Sequence, residues 1–385
     1  MAVPVAVYQI AFGVKMLKKV IIIPDSFKGS LSSFDVASIL NDVILQREGH
    51  ETLCVPMADG GEGSTDCIIK AMGGARLPVL VHSPEHKLIR AHYGITLNRT
   101  GVMEIAESSG ITKASGKTAT TASTLGFGEM IKAGLNEGLR DFLLCLGGSA
   151  TTDCGCGMAA ALGVKFLDAS GKPFVPTGAT LKDVVSIDTS EIDGRIWQSR
   201  FTVMSDVENP LFGPLGAAYI YAPQKGASPD EVAMLDAGLV HISNVMRRHG
   251  FKDPCSIKGA GAAGGTAYGC VAFLNATIES GIDAMLDICH FEEALTNAAY
   301  IVTGEGKLDE QSFMGKVVGG IRKRSMGKPM YVFCGKNELS SERLSSLDIS
   351  AIEIASGVSK EESMRNAEKY LREAATAFLN THPDL

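Results

Sequence analysis

Apolar residues in this chain follow two rhythms. Short unbroken runs rich in β-branched side chains alternate with stretches where apolar residues recur every three or four positions. Residues 19–24, KVIIIP, are the first such run and predict a buried strand. After a polar loop, Ser32 and Asp35 stand at capping-box spacing, and Val36, Ile39, Leu40, Val43 and Ile44 repeat at helical spacing. Residues 52–58 predict a second strand, followed by Asp59 and a helix through Ile68 and Ile69. Strand, loop and helix, twice over, argue for a parallel sheet. The rhythm returns near the C-terminus, with strands at 299–303, 329–334 and 349–354 and helices at 317–324 and 359–379. Residues 76–285 differ in texture: hairpin-like strands at 88–95 and 101–105 mix with long glycine-rich loops. The expected fold class is α/β. One domain is made from both chain ends, residues 16–75 and 286–385, and a second α/β domain, 76–285, is inserted in it. Residues 1–15 read as an N-terminal extension, because Met16-Leu17-Lys18-Lys19 leads directly into the first strand.

Composition narrows the class. The chain has 385 residues, 45% hydrophobic and 21% charged, which is ordinary for a soluble globular protein with room for two domains. A formal net charge of −7 lacks the basic footprint of a nucleic-acid binder and points to small-molecule partners. No apolar run is long enough to span a bilayer, and residues 1–15 lack the basic start of a signal peptide. Nine cysteines, mostly in apolar segments, fit reduced, cytoplasmic usage. Cys154 and Cys156 form a lone C-x-C, better read as small filler than as a zinc site. The 43 glycines cluster in loops, so the loops are where chemistry is sought.

Loops that follow the strands of a parallel sheet share one edge, and ligands bind there. The candidates are PDSFKGS (24–30), ADGGEGS (58–64) and TGEGKLDEQS (303–312). In the middle segment, a strand at 141–146 feeds GGSATTD (147–153), and a helix begins or continues at 157. Such a loop presents backbone N–H groups and a positive dipole end to an anion, and Ser149, Thr151 and Thr152 add donors. Asp153 would repel a bare phosphate, so it either bridges through a metal or caps the helix. No Gly-Lys-Ser/Thr follows, so this is not a Walker A loop. Asp206 ends a strand at 201–204 and reads as a general base, a metal ligand or a turn-former before Asn209-Pro210. Lys225, in APQKGAS (222–228), suits a phosphate-gripping ammonium or a solvated surface position. GAGAAGG (259–265) allows close backbone approach to a ligand, or close helix packing. Eight scattered histidines and the lack of G-x-S-x-G argue against a triad hydrolase. No G-x-G-x-x-G follows the first strand, which argues against a dinucleotide-dependent oxidoreductase.

Taken together, PDSFKGSLS, ADGGEGS, GGSATTD, the Asp206/Asn209-Pro210-Leu211 stretch, PQKGA, GAGAAGG and TGEGKLDEQS-x-x-GK resemble the type 1 bacterial glycerate kinase family, from about residue 18 to about 380. The resemblance implies a Rossmann-like domain formed by both termini. It also implies ATP-dependent phosphorylation of D-glycerate at the 2-hydroxyl, giving 2-phosphoglycerate and ADP. On that basis Gly147, Gly148, Ser149, Thr151, Thr152, Lys225 and Lys307 are expected at the nucleotide phosphates. Mg²⁺ is expected to bridge those phosphates, with Asp153 or Asp309 as ligand, and Asp206 is expected to orient or deprotonate the substrate hydroxyl. Ser26, Lys28 and loop 60–63 are expected at the substrate carboxylate, with Asp59 and Glu62 at its hydroxyls. A 3-phosphoglycerate product, another small hydroxy acid as substrate, and a ligand sensor without turnover stay open, as does a monomer or homo-oligomer. The chain departs from the family at Cys154 and Cys156, where glycines are usual, at Ser64 in place of threonine, and at Cys334 before Gly335. The first departure raises the expectation that oxidation near the loop inhibits the enzyme.

Overall fold

The computed structural model of the protein describes residues 17–27, 29–55, 57, 60–313 and 316–385. Lys28, Asp59 and the extension 1–15 lie outside the described residues. In chain order the strands are β1 (Lys18–Ile22), β2 (His50–Cys54), β3 (Gly74–His82), β4 (Leu88–Thr96), β5 (Thr100–Glu104), β6 (Asp141–Cys145), β7 (Lys165–Leu167), β8 (Pro173–Phe174), β9 (Ser186–Asp188), β10 (Arg200–Met204), β11 (Thr277–Glu279), β12 (Ala298–Leu308), β13 (Met330–Asn337) and β14 (Ile349–Glu353). They fall into two compact units. The first takes the chain up to Cys54, Glu292–Asp309 and Arg324–Leu385; the second takes Val55–Phe291 and Glu310–Lys323.

The first unit is built on a five-stranded sheet in the order β14-β13-β12-β1-β2, parallel throughout. Its Rossmann-like character follows from the unbroken apolar strands: Val20, Ile21, Ile22 and Ile23 have no exposed surface, as strands covered on both faces require. The helix Ser33–Leu45 starts at the expected capping box, with Ser32 Oγ accepting from Asp35 N and the Asp35 carboxylate accepting from Ser32 N. Its buried stripe of Val36, Leu40 and Val43 shares a core with Leu371, Ala375 and Phe378 of the helix Ala367–Thr381. Each such Val, Leu or Phe side chain, fully buried, contributes about 1.5–3 kcal/mol.

Two expectations change here. The strand expected to end at 303 runs on to Leu308, so TGEGKL is strand and not loop. Gly304 pairs with Phe333 there, and a Cβ on it would press on Phe27 and Val36 at 3.1 Å. The glycine marks close packing inside a strand. The closing helix is broken at Asn366 (φ −113°, ψ 24°) into Lys360–Arg365 and Ala367–Thr381.

The second unit is built on a six-stranded sheet in the order β11-β10-β6-β5-β4-β3. The strands β11, β10, β6 and β5 are parallel, and the β3–β4–β5 meander is antiparallel. Phe142 and Phe201 stack across β6 and β10 with centroids 4.8 Å apart. A small sheet, β8-β7-β9, completes the unit. The division differs from the expected boundary at 75/76: the helix Ser64–Met72 belongs to this unit. Gly94 of β4 leaves room for Thr65 and Ile69 of that helix, and a Cβ there would meet them at 2.8 and 3.2 Å. Arg76 of β3 pairs with Asp66 at 3.0 Å. Residues 286–291 and 310–323 also fall in this unit and not with the chain ends. Among the described residues no helix is long and apolar enough to cross a membrane.

Candidate active site

In the second unit β5, β6 and β10 are parallel neighbours, so the chain leaves all three at one edge of the sheet. The segments that leave are 105–112, 146–153 and 205–210. Gly147 N–H donates to Gly60 O at 2.8 Å, which brings the ADGGEGS loop to the same edge. A Cβ on Gly147 would stand 2.5 Å from Gly61 Cα, and one on Gly60 would stand 2.6 Å from Met204 O. These glycines are there because three backbones touch. Segment 108–111, which sequence reasoning missed, lies along the GGSATTD loop. Gly110 bridges Ser149, Ile111 N–H donates to Gly148 O at 2.9 Å, and Ala150 N–H donates to Ser109 O at 2.9 Å. GAGAAGG flanks the loops from another side. Cβ atoms on Gly264 and Gly261 would stand 2.0 Å from Thr151 O and 2.2 Å from Pro210 O. Its glycines serve loop packing.

Asp153 is fully buried and its carboxylate is occupied by the protein. Oδ2 accepts from Thr124 N at 2.7 Å, Thr124 Oγ1 at 2.8 Å and Gly157 N at 3.3 Å, while Oδ1 accepts from Gly155 N at 3.2 Å. The carboxylate fills the start of the helix Cys156–Ala161, which therefore offers no anion site of its own. Burial pushes its pKa up, against the pull of the Thr124, Gly157 and Gly155 donors.

Lys225 is buried, not a solvated surface lysine, and Nζ donates to Thr151 O at 2.5 Å. Burial pushes its ammonium down to about 8, with the Asp153 charge pulling the other way. Ser149 Oγ lies 3.0 Å from Thr151 Oγ1 and accepts from Thr151 N at 3.1 Å. The buried Thr152 hydroxyl finds no hydrogen-bond partner among the described residues. Asp206 is exposed just beyond β10, and its Oδ1 accepts from Gly281 N at 2.9 Å, which steadies it. Asn209 is held by Tyr221 Oη at 2.6 Å and by Leu215 O at 2.8 Å. Glu62 accepts from Thr112 Oγ1 at 3.4 Å, close to Gly148. The structure thus brings together Gly147, Gly148, Ser149, Thr151, Thr152, Lys225 and Glu62, with Asp206 at the end of the next strand.

Sequence reasoning also missed Glu104. It is buried at the end of β5, with Oε2 accepting from Gly63 N at 3.0 Å and Oε1 from Thr65 N at 2.5 Å. The available signal was one carboxylate inside the apolar run Val102-Met103-Glu104-Ile105. Cys154 and Cys156 are fully buried, and burial pushes both thiols up, which speaks against the expectation that oxidation near the loop inhibits the enzyme.

In the first unit, Asp25 Oδ1 accepts from Ser26 N at 2.6 Å beyond β1, and Asp25 N–H donates to Gly304 O at 2.8 Å. Lys307 pairs with Asp309 at 3.1 Å and with Glu338 at 2.8 Å. Two residues expected in separate roles, at phosphate and at metal, are thus partners of one another.

The model of the glycerate kinase family matches residues 20–382. A glycerate kinase from Halalkalibacterium halodurans is 35% identical over 93% of this chain and 97% of its own length. A glycerate 2-kinase from Escherichia coli is 36% identical over 79% of this chain and 81% of its own. A solved Salmonella typhimurium structure described as glycerate kinase 2 superposes with a TM-score of 0.79 at 31% identity, covering 96% of this chain and 100% of that one. With loops of this geometry and relatives of this extent, the chain belongs to the glycerate kinase family.

Proposed function

We propose that the protein transfers the γ-phosphoryl group of ATP to the 2-hydroxyl of D-glycerate, giving 2-phosphoglycerate and ADP. The observation that carries this reading is the buried Lys225 ammonium bonded to a neutral carbonyl, Thr151 O, inside a hydroxyl-lined glycine loop. A desolvated cation of this kind is relieved by an anion, and phosphoryl transfer consists mainly of positioning and charge neutralisation. Gly147, Gly148, Ser149, Thr151 and Thr152 line the phosphates in this reading. The exposed Asp206 takes the proton of the attacking hydroxyl, which then forms the new P–O bond as the bond to ADP breaks. The family resemblance assigns Asp59, Glu62, Ser26 and Lys28 to glycerate and Lys307 to phosphate.

Mg²⁺ supplies charge neutralisation at the phosphates. Among the described residues no three His, Cys, Asp or Glu side chains gather as a metal group, and Mg²⁺ commonly takes one or two carboxylates with phosphate and water. Asp153 does not fit that role, because four donors already engage its oxygens. Asp309, which pairs with Lys307 at 3.1 Å, is the other carboxylate that the family resemblance offers for the ion.

The test is ADP formation from ATP, Mg²⁺ and D-glycerate, with a phosphorus NMR spectrum of the product. A 2-phosphoglycerate signal is expected. A 3-phosphoglycerate signal moves the attacked position. No turnover by folded protein with glycerate or a panel of small hydroxy acids, combined with measurable binding, replaces the kinase by a sensor.

A further inference from the structure

The loop that carries Glu62 is held by other segments: Gly147 N–H donates to Gly60 O at 2.8 Å and Thr112 Oγ1 donates to Glu62 at 3.4 Å. Gly60 and Gly63 sit at φ +79° and +87°, and a Cβ on Gly63 would meet nothing within 4 Å. Gly63, the N-cap of the helix Ser64–Met72, is left-handed and has no side chain to cap it. The cap comes from elsewhere. Glu104, 5% exposed at the end of β5, takes Gly63 N–H and Thr65 N–H on its two oxygens. Those are among the amides that a helix start leaves without partners. The same strand end leads into segment 108–111, which is bonded to Gly148 and Ala150 of the GGSATTD loop. One rigid strand therefore sets both loops.

We propose that Glu104 is a positioning residue for the reaction: by clamping Gly63 and Thr65 it fixes where loop 60–63 presents its groups to the acid substrate. This rests on the reading above that the ADGGEGS loop holds glycerate. Glutamine keeps the shape of the side chain but turns one acceptor into an N–H₂ group facing a backbone N–H. Aspartate keeps both acceptors and withdraws them by one methylene.

The test compares wild type, Glu104→Gln and Glu104→Asp in hydrogen exchange and in steady-state kinetics with each substrate varied. Phe142→Leu, in the aromatic stack of β6, controls for general loss of stability. In Glu104→Gln, exchange at residues 61–65 is expected to quicken and the KM for glycerate to rise about tenfold or more. The KM for ATP is expected to stay within about threefold, and Glu104→Asp to fall between. Equal rises in both KM values, matched by Phe142→Leu, would reduce Glu104 to a stability residue. Quicker exchange with unchanged glycerate KM would leave a clamp that positions nothing, and overturn the proposal. If Glu104→Gln does not fold, Glu104→Asp decides on the same readouts. Failure of the underlying reading has a separate signature: wild type then shows no glycerate-dependent ADP. In that case unchanged exchange at 61–65 in the variants still refutes the clamp, and quicker exchange upholds it.

Discussion

Two glycine-rich loops of the second unit each run into a helix start, and in each the start is filled by a carboxyl group of the protein. In the loop beginning at Gly147 the group is local: Asp153 reaches Gly155 and Gly157, two and four residues on. In the loop beginning at Gly60 it is remote: Glu104 reaches Gly63 across 41 residues of sequence. The loops also differ in what stands behind them. Lys225 backs the first with a buried cation, while the second carries Glu62 and is bound to the first through Gly147. Similar glycine patterns thus stand beside side chains of opposite charge, Lys225 and Glu62. In neither loop is the helix dipole what remains for a ligand.

The sharpest way to press this contrast lies at Asp206, a carboxylate of the same edge that is exposed where Asp153 and Glu104 are buried. Asp206→Asn keeps an oxygen for Gly281 N–H and is expected to lower kcat by about 10²–10⁴-fold with the unfolding midpoint unchanged. Near-normal kcat in steady-state assays would remove it from the reaction. Next comes Lys225→Met, for which kcat/KM for ATP is expected to fall about 10²–10³-fold. In wild type, kcat/KM for ATP is expected to decline as pH rises through about 8, because the ammonium proposed to bind phosphate is lost there. The stability term has the opposite sign. The folded-state value lies below the ordinary lysine value of 10.5, so the unfolded chain binds more protons between about 8 and 10.5. The Lys225 contribution to stability therefore rises with pH across that window, and the urea midpoint of wild type should rise relative to that of Lys225→Met.

A smaller effect is expected at Asp153→Asn, which turns an N–H₂ group toward backbone donors. Stability should drop by about 1–3 kcal/mol in urea unfolding. An unchanged midpoint would break the parallel between the two filled helix starts. The smallest contrast is steric. Gly147→Ala, with its Cβ 2.5 Å from Gly61 Cα, should separate the loops and cost about 1–3 kcal/mol. Gly63→Ala meets open space and carries only the left-handed φ of +87°, about 1 kcal/mol. Thermal unfolding of the two variants tests that order.

What could be read in the chain follows from the same local-versus-remote distinction. KVIIIP, the strand before Gly147 and the Ser32/Asp35 capping box were legible because buried parallel strands and caps leave contiguous signals. The gathering of loops at strand ends was legible from the direction of a parallel sheet. Glu104 and Thr124 were not, since their partners lie 41 and 29 residues away and only folding brings them close. The strand 304–308 was hidden by its glycines, which looked like loop until their neighbours Phe27 and Val36 were in place. The boundary after Cys54 was hidden because the helix Ser64–Met72 shows the same apolar rhythm whichever sheet it covers.

The pairing of β1 with β12 has a consequence for synthesis. Lys19 lies opposite Ala298, so 279 residues must leave the ribosome before the first strand meets that neighbour. At about 5–20 residues per second that is roughly 15–55 s. Through that interval β1 has β2 on one side and an open edge on the other, with Val20, Ile21 and Ile22 awaiting cover. Strand β1 therefore presents an open edge during synthesis, whereas most of the second unit, Val55–Phe291, has left the ribosome before β12.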